Sequence, residues 1–102
     1  MDDENMAAVA KALAHPARVR IVKLLSEQDH CSGAEVFAGL PLAQSTVSEH
    51  LRVLKDAGLV SSHAVGPGMV YCLSGKALSD FAWAVEVIAA STVSCASNEG
   101  GC

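Results

Sequence analysis

The stretch that decides the fold is QSTVSEHLRVLKDAG, Gln44 to Gly58. At about 100° per residue, Val47, Leu51 and Leu54 fall on one side of a helix, at i, i+4 and i+7. Ser45, Ser48, Glu49, Arg52 and Asp56 fall on the other. Gly58 stands where a helix end favours a left-handed residue, so the spacing predicts a helix of roughly four turns. One side packs and the other carries short polar groups. Small hydroxyls and an amide on the first turns suit a reader of the DNA major groove: they let the backbone come close, and they both donate and accept hydrogen bonds.

Upstream, SGAE at Ser32–Glu35 has the S-x-x-E spacing of a capping box. It predicts a short helix from Ser32 through Val36, Phe37 and Leu40, with a tight connection over Gly39–Leu42. Two helices joined by so few residues, the second bearing polar groups early, form a helix-turn-helix pattern. Ala43 stands where a Ser or Thr cap is expected, and its methyl group accepts no hydrogen bond, at a cost of about 1 kcal/mol. Downstream, Leu59–Val65 alternates loosely, Gly66-Pro67-Gly68 punctuates, and Met69–Leu73 reads as a second strand. The expected fold is therefore mainly α with a small β-hairpin, a winged helix-turn-helix.

Toward the N-terminus, Met6, Val9, Ala10 and Leu13 follow helical spacing, so an amphipathic helix is expected from about Asp3 to Ala14, with acids at its start. His15-Pro16 breaks it, and Pro16 opens a second helix whose inner stripe is Ala17, Ile21, Leu24 and Leu25. Arg18, Arg20 and Lys23 form the densest basic cluster, read first as a solvated face. Ser74 caps a last helix running to about Thr92, with Phe81, Val85, Ile88 and Thr92 on one stripe and Trp83, Val87 and Ala90 on another. A helix apolar on two sides is buried on two sides, and in a chain this small the second cover is expected to be a partner copy, so a homodimer through the first and last helices is expected. Residues 1–93 make one DNA-binding and dimerisation domain, and residues 94–102 a polar, Cys-containing tail.

Composition is consistent with that plan. The 102 residues are 51% hydrophobic, with a mean hydropathy of +0.34, high for one small soluble domain. The stretch Ala82–Ala96 carries Glu86 and several small polar residues and is no membrane span, and the acidic N-terminus (Asp2, Asp3, Glu4) is no signal peptide. A cytoplasmic protein is expected, in which four cysteines are thiols or ligands rather than disulfides. The net charge is −4, but four of the eleven acids lie in the terminal tails, which leaves a neutral body. Such a body binds DNA through a local patch, with strong salt dependence. No Cys-x-x-Cys pair, nucleophile with a neighbouring base, or phosphate-cradling glycine loop occurs, so no enzyme is expected.

ALAHPARVRIVKLL, LAQSTVSEHLRVLKDAGLV and a wing ending VYCLS resemble the ArsR/SmtB metalloregulatory repressors, from about Met6 to Leu73. The resemblance implies a homodimeric winged-helix repressor that leaves a two-fold operator when an inducer binds. By position it implies Gln44, Ser45, Thr46 and Ser48 as groove contacts and Arg52 as a phosphate contact. His50 matches the family's histidine in this helix and is read as a hydrogen-bonded inner residue. The wing SSHAVGPGM carries no Arg or Lys, and His63 is the one residue there able to become cationic. The family's zinc positions on the last helix hold Gly75, Ala77, Ile88 and Ser91, so no zinc is expected there. Its C-x-C motif is reduced to His30-Cys31-Ser32.

That leaves SCASNEGGC. Cys95 and Cys102 are separated by six residues, among them Ala96, Gly100 and Gly101, so two sulfurs can meet at little cost in chain entropy. Soft ions select thiolates. The tail resembles that of arsenic-responsive members, which implies As(III), Sb(III) or methylarsenite as inducer. The third position is Cys31, Cys72, a water or hydroxide, or a methyl group. Cys72 is otherwise read as a buried, inert thiol. Two alternatives stay open: a thiol-oxidation or persulfide sensor pairing Cys95 with Cys102 or Cys31, and a winged-helix module that binds protein.

Overall fold

The computed structural model describes residues 1–28, 31–33 and 37–92. Along the chain run α1 (Asp3–Ala12), α2 (Pro16–Ser26), β1 (Ser32–Gly33), α3 (Gln44–Asp56), β2 (Val60–Val65), β3 (Gly68–Leu73) and α4 (Gly75–Ser91). The strands form one antiparallel sheet in the order β1-β3-β2.

Each helix begins for a local reason. Asp2 accepts a hydrogen bond from the Asn5 amide at 2.8 Å, and Asp3 and Glu4 follow in the first turn, where the helix dipole favours acids. The His15 ring caps α2 by accepting from the Ala17 amide at 3.1 Å, with Pro16 in the first helical position. Ser74 caps α4 by accepting from the Ala77 amide at 3.2 Å. α3 starts at Ala43 with no side-chain cap, as its methyl group dictates.

The end of α3 organises the core. Gly58, at φ +80°, donates to the Lys55 carbonyl at 3.0 Å, and the Leu59 amide donates to the Leu54 carbonyl at 3.0 Å. These two bonds make a Schellman motif, and its hydrophobic contact joins Leu54 and Leu59, both fully buried. Around this pair lie Val9, Ala12, Ile21, Leu25, Phe37, Val47, Leu51 and Val60. The hairpin turns at Gly66, φ +58°, followed by Pro67, which matches a type II′ turn between the paired Val65 and Gly68.

Three expectations are corrected. α1 ends at Ala12 instead of Ala14, and its buried residues are Val9 and Ala12, with Ala10 exposed. Ser32 and Gly33 do not open a helix: they form β1, paired with Tyr71 and Val70 of β3. The sheet edge claims their backbone, and residues 34–36 lie outside the described ones. Third, Cys72 is no isolated thiol, and not all four cysteines are free: Cys31 and Cys72 are joined in a disulfide. The reason is register. Ser32 faces Tyr71, so the preceding residue of one strand meets the following residue of the other. Their Cα atoms stand 4.4 Å apart, the spacing of a close antiparallel pair. α4 runs from its Ser74 cap as expected, and no helix among the described residues is long and apolar enough to cross a membrane.

Candidate nucleic-acid interface

α3 carries the candidate site. Val47, His50, Leu51 and Leu54 are buried, which fixes the helix's rotation about its axis. Gln44, Ser45, Thr46, Ser48 and Arg52 are all exposed. The Thr46 and Val47 amides donate to the Ala43 carbonyl, at 3.0 and 3.1 Å. Ala43 offers no cap side chain to the amides of Gln44 and Ser45, and both residues are exposed at the start of the helix.

Arg52 is less free than its sequence position suggests. It donates to Glu49, one turn back, and to Asp56, at 2.9 Å, one turn on. The hydrogen bond from Arg52 holds the Glu49 carboxyl below the ordinary carboxylate range, and Glu49 in turn raises the guanidinium. A phosphate would reach Arg52 by displacing one of two carboxylates. His63 lies on β2, opposite Val70, exposed on a wing without Lys or Arg from Ser61 to Met69.

Behind α3, a polar cluster sets its position against α1 and α2. The Arg18 Nε donates to the Ala12 carbonyl at 2.6 Å, and Nη2 reaches the Lys11 carbonyl at 3.4 Å, so a cation sits at the C-terminus of α1. Its Nη1 faces His50 Nδ1 at 3.4 Å, and the His15 ring lies 4.5 Å from that of His50. Burial pushes the His50 imidazole below its ordinary pKa, and neighbouring His15 and Arg18 push the same way. His50 is thus an inner, neutral acceptor, not a base reader. Sequence reasoning placed Arg18 on a solvated face. The signal for its inward turn was the pairing of His15 and His50 around it, legible only once α2 and α3 are docked.

Among the described residues no group of three or more His, Cys, Asp or Glu side chains converges as a metal site. The family-implied zinc positions, Gly75, Ala77, Ile88 and Ser91, supply no nitrogen, sulfur or carboxylate ligand. The expected arsenic ligands Cys95 and Cys102 lie outside the described residues. The alternative third ligands, Cys31 and Cys72, are bonded to each other, so neither sulfur is free in this form.

A polar-faced helix packed against α1 and α2, followed by a hairpin wing, defines the winged helix-turn-helix class. Residues 15–62 match the family model described as bacterial regulatory protein, arsR family. An ArsR-like transcriptional regulator from a Rhodococcus species superposes with a TM-score of 0.73 at 31% identity, over 85% of this chain and 81% of that one. The chain belongs to the ArsR family of bacterial regulatory proteins. It is also 37% identical over 70 residues to an uncharacterized HTH-type transcriptional regulator of Mycobacterium tuberculosis, and the match spans 69% of this chain but only 61% of that relative's length. A homodimeric winged helix-turn-helix DNA-binding domain from Mycobacterium bovis, solved in solution, aligns with a TM-score of 0.67 at 27% identity, covering 87% of each chain.

Proposed function

We propose that the chain is a dimeric, cytoplasmic transcriptional repressor that places α3 of each protomer in the major groove of a two-fold operator. The observation that carries this reading is the face of α3: Gln44, Ser45, Thr46 and Ser48 exposed on a helix whose rotation is locked by buried Val47, Leu51 and Leu54. Arg52 and His63 are the flanking candidates for phosphate contact.

A second feature supports the dimer. α4 has no buried residue, and Trp83 is 70% exposed, Val87 50% and Ile88 53%. So large an apolar surface on one helix is unusual for a monomer. The two-fold partner would cover it, as the homodimeric Mycobacterium bovis domain makes reasonable. Two recognition helices then stand a fixed distance apart, and half-sites are about one helical turn from each other.

The inducer in this reading is trivalent arsenic or antimony, inorganic or methylated, held by Cys95 and Cys102 just beyond α4. What supports it is the thiol pair itself, together with the lack of other metal-ligand groups among the described residues. While Cys31 and Cys72 are tied to each other, the third position falls to a water or hydroxide or to the methyl group of methylarsenite; with that bond reduced, either sulfur is again a candidate. A change at the end of α4 alters the spacing of the α3 pair, and operator DNA must weaken inducer binding by the factor by which inducer weakens DNA binding.

The test is operator release measured with arsenite, antimonite, methylarsenite, zinc, cadmium and polysulfide in parallel. Release by the trivalent arsenicals, lost in the Cys95→Ser and Cys102→Ser variants, is the expected result. Release that persists in both variants overturns the tail as the inducer site, and release by polysulfide alone favours the persulfide-sensing alternative.

A further inference from the structure

The disulfide between Cys31 and Cys72 lies on the DNA-reading unit itself. β1 is a ladder of two residues, Ser32 with Tyr71 and Gly33 with Val70, too short to hold a strand on a sheet edge with any strength. The two sulfurs continue that ladder one residue further and fasten it covalently. The ring so closed, with a sequence separation of 41, encloses α3, all of β2 and β3 as far as Cys72. Every residue assigned to DNA contact lies within it. The bond is also within reach of small reactants: both cysteines are half-buried, beside an open cleft of about 350 Å³ lined by Leu25, Ser26, Gln28 and Gly75. Disulfides in a thiol-reducing compartment, where an operator-binding protein works, are typically transient and redox-sensing.

We propose that Cys31 and Cys72 form a reversible dithiol–disulfide switch, oxidised by a hydroperoxide, that fastens the wing to the helix-turn-helix and raises operator affinity. This rests on the operator-binding reading and is separate from the arsenic site in the tail. One thiolate attacks the peroxide O–O bond, giving a sulfenic acid and, with hydrogen peroxide, water. The second thiolate then attacks that sulfur and expels the hydroxyl as a second water. Two thiols and one peroxide become one disulfide and two waters, the sulfurs losing two electrons and the peroxide gaining them. A dithiol such as dithiothreitol reverses the step by exchange, leaving as its own cyclic disulfide. Oxidation adds no DNA contact. It removes freedom of β1 against β3 that the complex would otherwise have to freeze, so the gain is one of preorganisation.

The experiment treats the full chain with dithiothreitol or with hydrogen peroxide, maps its cysteines by mass spectrometry, and titrates each form with a palindromic duplex from its own promoter. The expected result is a Cys31–Cys72 linked peptide only after peroxide, and operator binding at least tenfold tighter in that form. Cys72→Ser should bind with the affinity of the reduced protein whatever the treatment. Equal affinity of the two wild-type forms overturns the switch alone, and needs no variant to fold. Failure of peroxide to link the two cysteines overturns it as well. Absence of operator binding in both forms overturns the transcriptional reading, and the coupling with it.

Discussion

Ala43 offers a substitution that should improve the fold and harm or spare the function according to charge. The residue holds the N-cap backbone conformation, φ −63° and ψ 148°, yet its side chain makes no cap hydrogen bond. A hydroxyl or carboxylate there would accept from the amides of Ser45 or Thr46 without moving the backbone. Ala43→Ser should therefore stabilise the protein by about 1 kcal/mol. Ala43→Asp adds the helix-dipole interaction, a further ~0.3–1 kcal/mol at this exposed position. In a domain of this size each kcal/mol moves Tm by about 4–8 °C. The two variants should part in DNA binding. Serine leaves the charge of the α3 start unchanged, whereas aspartate sets an anion where the groove and its phosphates would lie, so Ala43→Asp should bind operator more weakly than wild type despite its higher Tm. Urea unfolding and fluorescence anisotropy with a labelled duplex measure the two effects separately. A midpoint unmoved or lowered in Ala43→Ser would refute the capping argument. Undiminished operator affinity in Ala43→Asp would show that this end of α3 does not face DNA.

Other outcomes follow from single contacts. Glu49→Gln removes one of the two carboxylates that occupy Arg52, and should raise operator affinity while steepening its salt dependence, read from titrations at several salt concentrations. His50 has a folded-state pKa below the ordinary imidazole value of about 6.5, so the unfolded chain takes up the proton first. Stability contributed by the neutral ring is complete above that value and is lost as pH falls from it toward the folded pKa; urea midpoints compared between pH 8 and pH 5.5 should show the loss, and His50→Gln should flatten it. Val87→Glu puts a charge on the exposed apolar side of α4 and should shift sedimentation from dimer toward monomer without lowering helix content.

Much of this was legible in the sequence because the deciding residues act locally. Val47, Leu51 and Leu54 at helical spacing, with Gly58 behind them, determine both where α3 ends and which side it shows, and the uncapped Ala43 needed no tertiary context. The Gly66-Pro67 turn likewise announces the hairpin on its own. What was missed depends on pairing across distance. Ser32-Gly33 carries a helix-start spacing, but a two-residue edge ladder with β3 overrides it, and only that register shows Cys31 facing Cys72. Arg18 looks like a surface cation until α1, α2 and α3 close around it. The tail cysteines are visible as a pair in the chain, and the trivalent arsenic or antimony proposed for them rests on thiolate softness and on the family resemblance.

The central claim is that the exposed hydroxyl face of α3 reads duplex DNA from a symmetric pair of protomers. Its most direct test is a salt-series titration of wild type and a Ser45→Ala/Ser48→Ala variant against a palindromic duplex from the chain's own promoter and a scrambled one. The expected result is two protomers per duplex, log affinity falling linearly with log salt, and a preference for the palindrome that the variant loses while keeping its fold and salt slope. Wild-type binding that is indifferent to sequence, or unaltered in the variant, would contradict it.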